Sequence, residues 1–341
     1  MFEQFKGYKM IDFVDIIYGL SWGDEGKGKI TNALAENYDY VCRWNGGPNA
    51  GHTVYVDGVK YKTHIVPSGI FKDKVSVIGP GCVFHVDQLM EEINYLSTSG
   101  FDMKLIKVSP KAHVITDKHI QYDIENLQSE FGTTGKGIAP CYSDKMLRKG
   151  IRASEVLSSY ILWDEKLKGR VLCEGAQSVN LDVDHGDYPY VTSSSTMPYS
   201  ACSLGFSPRK IRRMIGVAKA YDTRVGNDPI LFPDSLWDDE TLNAIIEEGK
   251  EYGSTTGRKR KANWLNLDRL IHAINISGTT EVIINKCDVL EKIDVFKVYY
   301  NNNLNHLQFF ESFKVYIQSV ISENTEVIRD NIIFSGDVEN I

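Results

Sequence analysis

The sequence predicts an α/β protein with a mainly parallel central sheet flanked by helices. Three observations lead there. Apolar, β-rich runs alternate with stretches of helical periodicity along the chain, the pattern that builds parallel sheets from strand–helix–strand units. A glycine-rich stretch, "YGLSWGDEGKGKI" (18–30), follows the apolar run "FVDII" and leads into a helical pattern, as a strand-to-helix turn does. The 341 residues, 42% hydrophobic and 24% charged, suit one large α/β domain or two coupled ones.

The elements follow in order. "FVDIIYG" (13–19) reads as the first strand and "KITNALAENY" (29–38) as the start of a helix. "YVCRW" (40–44) is a strand. In "VYVDGVKYK" (54–62) Asp57-Gly58 separates two alternating runs, the strongest short hairpin signal. "VSVIG" (75–79) is a strand, and "VDQLMEEINYLSTSG" (86–100) a helix closed by Gly100. "RVLCEGAQ" (170–177) and "TEVIINKCDV" (280–289) read as strands. "DDETLNAIIEEGKEYG" (238–253) and "LNLDRLIHAINISG" (265–278) read as helices closing on glycine. "HLQFFESFKVYIQSVISENT" (306–325) is a late amphipathic helix. The segments 45–53, 132–140, 182–197 and 222–235 are long polar connections, and such loops in an α/β protein carry function.

Composition narrows the function classes. A net charge of −7 offers no global basic field to nucleic acid or an anionic membrane. The apolar runs are strand-sized, too short to span a bilayer. "MFEQFKGYKM" has no apolar signal core; residues 1–10 read as an extension, and Met10 as an alternative start. Six cysteines are scattered without C-x-x-C spacing, against a zinc site and for a reducing compartment. The expected location is the cytoplasm, the host's own in the case of a virus.

Several segments carry candidate chemistry. Gly23 to Lys29 is G-x-x-x-x-G-K, the frame of a phosphate-binding loop. The residue after it should be Ser or Thr to hold Mg²⁺; here it is Ile30. A metal would need another hard oxygen, and Asp24 is the obvious one. Asp24 and Glu25 are out of place in a plain phosphate cradle, because carboxylates repel phosphate. The bland alternative is a glycine-rich turn with exposed charges. "WNGGPNAGHT" (44–53) suits close backbone approach to a ligand, and His52 could act as general acid or donor; a lone loop histidine is more often just a polar residue at the surface. "GTTGKGIAP" (132–140) is a third anion-type loop. Arg148 follows in a charge run that otherwise reads as a solvated helix face. Gln177, at the end of a strand, can read a base edge as donor and acceptor. "GSTTGRKRKANW" (253–264) is a compact basic loop. In this acidic chain it suits a small anion better than nucleic acid, with Arg258 and Arg260 capable of bidentate capture. "INKCD" (284–288) carries N-K-x-D, similar to the guanine reader of GTP-binding proteins, in which a carboxylate accepts from guanine N1–H and N2–H₂.

Together these segments resemble adenylosuccinate synthetase, from about residue 12 to the C-terminus. "WGDEGKGKI", "NAGHT", "GTTGKGI", "EGAQ", "DHGDYPYVTSS", "TRVG", "STTGRKR" and "NKCDVL" occur in that family's order. The resemblance implies one family domain over 1–341, with a nucleotide site like that of P-loop NTPases and long functional loops. It implies a GTP-dependent ligation of L-aspartate to IMP. Asp24 takes the purine N1 proton, charge builds on O6, and that oxygen attacks the γ-phosphate of GTP. The amino group of aspartate then displaces phosphate from the 6-phosphoryl purine. His52 is implied as acid or donor to the phosphoryl group. Mg²⁺ is implied on Asp24 and the Gly51 carbonyl.

The other positions carry over in the same way. The purine nucleotide is implied at Asp24, Glu25, Gly26, Lys27, Asn49, Ala50, Gly51, His52, Thr134, Gln177, Thr192, Val225 and Arg258. Arg148 is implied to reach the nucleotide of a neighbouring subunit in a homodimer. GTP is implied at Gly23, Asp24, Glu25, Gly26, Lys27, Gly28, Lys29, Gly51, His52, Thr53 and Arg260. Its guanine end falls to Lys286, Cys287, Asp288, Ser335 and Gly336. Aspartate is implied at Ser254, Thr255, Thr256, Gly257, Arg258 and Arg260. No nucleic-acid or membrane partner is expected.

The chain also departs from the family. It resembles a compact form found among archaeal and viral relatives, with about twenty residues between Arg152 and "RVLCEGAQ" where the long form has a helical insertion. Lys136 stands where Arg is usual and Ser178 where Gly is usual. "SSSTMPYSACSLGFSPR" and "VGNDPILFP" are irregular beside the family's versions. A viral branch joins aspartate to dGMP, and its members can lack the Asp-Glu pair and the Lys-x-Asp reader. This chain keeps Asp24, Glu25, Lys286 and Asp288. IMP with GTP is therefore the expected pair, dGMP the alternative purine, and a non-catalytic GTP-binding regulator the remote alternative.

Overall fold

The computed structural model describes residues 10–163, 165–226, 228–253, 257–337 and 341. Eight strands form the central sheet, in the order Ile332–Phe334, Glu281–Asn285, Ile211–Lys219, Ile11–Gly19, Gly169–Ser178, Tyr40–Arg43, Val75–Ile78, Ile106–Val108. Every neighbouring pair runs parallel. A parallel sheet is covered on both faces, so its strands bury side chains on both. In Ile11–Gly19, Val14, Ile16 and Tyr18 join one core, while Ile17 joins the core on the opposite face under the helix Lys27–Ala35. Each such fully buried aliphatic side chain contributes about 1.5–3 kcal/mol.

The predicted elements are present with shifted ends. The hairpin is His52–Val56 with Val59–Thr63, and its turn residues Asp57 and Gly58 have φ of 51° and 75°, as a type I′ turn requires. The helix Val86–Thr98 ends before Gly100, which takes φ 94°. Three predictions are corrected. The strand expected over 280–289 stops at Asn285, and Cys287–Ile293 is a helix, because Lys286 turns the chain with φ 65°. The helix expected over 238–253 is Glu240–Gly249 and closes through Lys250 at φ 51°, not through a glycine. The helix expected over 265–278 starts at Leu267, and Lys261–Asn266 before it is a strand.

The strand Ile211–Lys219, which lies beside the first strand, has no signal in the pattern because Arg212 and Arg213 interrupt its start. Both reach the fully buried Asp15: Arg212 Nη2 at 2.5 Å and Arg213 Nε at 2.8 Å, with the Tyr38 hydroxyl at 2.5 Å. Burial pushes the Asp15 carboxyl up, and these donors outweigh it and hold the group below its usual range.

A smaller sheet joins Tyr221–Arg224, Lys261–Asn266, Phe296–Tyr300 and Asn303–Leu307. Asp222 is buried there and accepts from the Asn266 amide at 2.9 Å. Burial raises its carboxyl to about 7, against the lowering effect of that amide and of Lys219. A carboxyl raised on folding makes the native state bind more protons than the unfolded chain. Its contribution to stability is thus full below about pH 4 and is lost as pH rises towards 7. Asp222→Asn is expected to be more stable than wild type at pH 8, by a few kcal/mol at most, and to lose that advantage at pH 4. Urea midpoints of both proteins across this range check it; a constant difference would refute it.

Candidate active site

The strand order reverses beside Ile11–Gly19, and ligands of open α/β sheets bind at the carboxyl ends of strands at such a point. There the chain runs through Leu20–Gly26 into the helix Lys27–Ala35. Glu25 is a buried pin of this turn. Its carboxylate accepts from Lys27 Nζ at 2.6 Å, Ser178 Oγ at 2.5 Å and the Gly23 amide at 2.8 Å, and its carbonyl accepts from Asn285 Nδ2 at 2.7 Å. Burial alone would raise the Glu25 carboxyl; Lys27 outweighs it and holds it below its usual range. Ser178, the departure from glycine, therefore has a partner, and room for it exists because Gly19 has no side chain: a Cβ there would lie 2.0 Å from Ser178 Oγ. Asn285, the first residue of the N-K-x-D motif, ties the loop and does not face outward.

Lys29 donates to Ser335 Oγ at 2.7 Å and to the Asp337 carbonyl at 2.8 Å. Burial lowers its ammonium to about 8, partly offset by Asp337 and Asp288. The phosphate-loop lysine thus meets the predicted guanine end. Ser335 accepts from the Cys287 amide at 3.2 Å, and the place of a Gly336 Cβ is 3.0 Å from the Asp288 amide nitrogen. Lys286 donates to the Gly249 carbonyl at 2.9 Å.

The second loop closes over the first. Gly28 packs so tightly that a Cβ on it would lie 2.8 Å from the His52 Cβ. His52 and Thr53 open the hairpin strand. His52 Nδ1 lies 2.5 Å from Glu174 Oε1. Glu174 is fully buried and also accepts from the Ser68 amide at 2.8 Å and Ser68 Oγ at 2.7 Å. Burial would raise the Glu174 carboxyl, but His52 and the Ser68 donors hold it below its usual range. A carboxylate on Nδ1 orients the ring and leaves Nε2 for a ligand. Glu174 was missed from the sequence as a functional residue; its one signal is a carboxylate inside the apolar run "RVLCEGAQ". Of the neighbouring positions, the Asn49 side chain accepts from the Gly47 amide at 3.3 Å and the Ala50 carbonyl faces His64 Nδ1 at 2.9 Å.

Asp24 is 30% exposed at its side chain, and its Oδ2 lies 2.9 Å from Arg260 Nε. Arg260 Nη1 lies 2.5 Å from Glu251 Oε2, and Lys219 Nζ lies 3.1 Å from the same oxygen. Two residues predicted on separate segments, Asp24 and Arg260, are therefore in contact, while Glu251 and Lys219 behind them were not predicted at all.

The remaining positions lie in separate places. Arg258 donates to the Gly132 and Thr133 carbonyls at 3.3 and 3.0 Å, which joins its loop to that of Thr134. Buried Asp123 organises the same loop through Thr133 Oγ1 at 2.6 Å and the Gly137 amide at 2.8 Å. The loops carrying Thr192 and Val225 converge on Trp22. Its indole donates to Asp187 at 3.2 Å, and its ring meets Phe232 edge-on at 5.2 Å. Arg148 stands apart, exposed just beyond the helix Ile138–Met146. Ser254, Thr255 and Thr256 lie outside the described residues, and Gly257 holds φ 67°. Asp24, Arg148, Gln177 and Lys286 hold left-handed backbones, with φ between 58° and 65°. Such conformations cost side-chain-bearing residues about 1–3 kcal/mol each and concentrate at functional sites.

The sequence matches the adenylosuccinate synthetase family model over residues 16–169 and 158–329. The two matched stretches overlap at residues 158–169. Adenylosuccinate synthetase of Bacteroides fragilis is 38% identical over 87% of this chain and 83% of its own length. The enzyme of Shouchella clausii is 39% identical over 83% of this chain and 79% of its own. The fully ligated adenylosuccinate synthetase of Plasmodium falciparum superposes with a TM-score of 0.79 at 28% identity, over 94% of this chain and 99% of that one. The succinoaminodeoxyadenylate synthetase of cyanophage S-2L, bound to dGMP and dATP, superposes at 0.68 with 22% identity, over 92% and 99%, a likeness of fold. On its paired glycine loops, its parallel sheet and these matches over most of its length, the chain belongs to the adenylosuccinate synthetase family.

Proposed function

We infer that the chain is a GTP-dependent ligase joining L-aspartate to IMP through a 6-phosphoryl intermediate, with 1–341 acting as one catalytic unit. One observation carries the reading: the partly exposed Asp24 carboxylate and His52 come from two glycine loops packed against each other at Gly28, with Glu174 of the strand Gly169–Ser178 behind the His52 ring. The phosphate loop then connects through Lys29 to the Asp288 end.

The geometry supports a division of labour. Asp24 takes the N1 proton of the purine, which builds charge on O6. O6 attacks the γ-phosphorus, the bond to the β-bridging oxygen breaks, and GDP leaves. His52, oriented by Glu174, donates from Nε2 to the phosphoryl oxygens as charge develops. The aspartate amine then displaces phosphate at C6. Arg258 and Arg260 hold aspartate by its carboxylates, with residues 254–257 around it. Lys286, Asp288, Ser335 and Gly336 hold guanine.

The donor set at Asp24 fits Mg²⁺, a hard cation that takes one or two carboxylates with substrate phosphates. Asp24 and the Gly51 carbonyl would hold it, and it would neutralise the phosphate charge that the carboxylates otherwise repel. A homodimer fits the surface round Arg148, where Met146 is 74% and Leu147 57% exposed; there Arg148 would reach the partner's nucleotide. No helix among the described residues is long and apolar enough to cross a membrane. A cytoplasmic location fits the six free thiols.

The test is steady-state turnover with aspartate and Mg²⁺, crossing IMP and dGMP with GTP and ATP. Turnover with IMP and GTP supports the reading. Turnover with dGMP instead moves the chain to the alternative purine. GTP binding without turnover in any combination supports the regulator.

A further inference from the structure

We propose that Glu251 is a positioning residue that aims Arg260, and that Glu251 with Lys219 and Tyr221 sets how the 251–260 loop presents this guanidinium to the carboxylate of the amino-acid substrate. The inference rests on the functional reading above.

Residues 251–253 and 258–260 pair with each other. The Arg260 amide donates to the Glu251 carbonyl at 2.9 Å, and the Gly253 amide to the Arg258 carbonyl at 2.8 Å. Tyr252 and Lys259 bridge between them. Glu251 and Arg260 therefore close the base of the loop through their main chains and again through their side chains, at 2.5 Å. Glu251 is fully buried. Its Oε1 accepts from the Tyr221 hydroxyl at 2.7 Å, and its Oε2 from Lys219 Nζ at 3.1 Å. Lys219 also donates to Thr223 Oγ1. These partners stand on the strands Ile211–Lys219 and Tyr221–Arg224, so the carboxylate is tied to the sheets and not to the loop alone. Burial would raise the Glu251 carboxyl; Lys219 and Arg260 overcome that and hold it at about 2.

Arg260 thus lies between two carboxylates of different character. Glu251 is immobile and enclosed. Asp24, 2.9 Å from Nε, is partly open and is the group the reaction draws to the purine. When Asp24 turns to its substrate, Glu251 keeps Arg260 from following it. The freed Nε edge then faces the incoming carboxylate without a fresh loss of side-chain entropy, which is what preorganisation contributes to binding. A buried ion pair retained only for stability would affect every substrate alike.

The test is a comparison of wild type with Glu251→Asp, Tyr221→Phe and Glu251→Gln, measuring KM for each substrate, kcat and thermal midpoint. Glu251→Asp keeps the charge and shortens its reach. It is expected to raise the aspartate KM about tenfold, with KM for the purine nucleotide within about twofold and KM for GTP, which Arg260 is also implied to contact, raised less than that for aspartate. Tyr221→Phe, which changes no charge, is expected to give a smaller shift of the same kind. Glu251→Gln is expected to give the largest shift, or a lowered midpoint from the unpaired Lys219. The proposal fails if Glu251→Asp and Tyr221→Phe leave the aspartate KM unmoved, or if all three KM values rise together with a lowered midpoint. A wild type without aspartate-dependent turnover would sink the functional reading and this inference with it; an active wild type with unmoved variants sinks the inference alone.

Discussion

Asp24→Asn is expected to lower turnover by roughly 10³-fold while GTP still binds within a few-fold of wild type. Asn is the apt substitution, because residue 24 has φ 60° and Asn tolerates the left-handed region better than other side chains. Its amide oxygen can still lie against Arg260 Nε, so the contact seen at 2.9 Å need not break. What the change removes is a group able to carry away the purine N1 proton, and without that transfer O6 stays a poor nucleophile. Steady-state turnover with an equilibrium GTP titration decides it. A GTP-binding regulator would lose little by the same change, so activity within tenfold of wild type would defeat the assignment of Asp24 as base.

Loss of the His52 imidazole is the second large effect. His52→Ala is expected to lower kcat by about 10²–10³-fold, the scale of removing one preorganised donor from a developing oxyanion. Glu174→Gln should follow it closely although Glu174 never meets a substrate. The Gln amide can present a neutral donor to Nδ1 where the carboxylate oxygen stands, which leaves the ring with the wrong proton arrangement and no countercharge. Because Gln keeps the volume and can still accept from Ser68, the fold should survive. The measurement is kcat and KM for both variants and the double variant. If the two act through one group, the double variant loses no more than His52→Ala alone. A multiplicative loss would mean that Glu174 serves the fold and not the ring.

Much of this was legible in one dimension. Phosphate recognition needs consecutive backbone amides, so its glycines and lysines must lie together in the chain, and Gly23 to Lys29 announced the turn between the first strand and helix. The hairpin at Asp57-Gly58 was legible because φ > 0 at two successive positions admits few residues. Arg258 and Arg260 were legible as a basic cluster in an acidic chain. The strand Ile211–Lys219 was not, because its arginines pair with a carboxylate of another strand, and a local window sees only their charge. The end of the strand at Asn285 was missed for a similar reason: the turn at Lys286 is held from outside, by Gly249.

The sequence by itself determined the two glycine loops, the basic loop, the guanine-type motif and the class of fold, since each depends on residues adjacent in the chain. Only the tertiary structure decided that Glu25 pins the loop, that Glu174 orients His52, and that Glu251 and Lys219 stand behind Arg260. Those residues are buried charges, and Glu174 and Lys219 stand on strands distant in sequence from the groups they serve. A buried charge must be paired, but which charge pairs with it is set by strand order and register, and these are properties of the folded sheet as a whole.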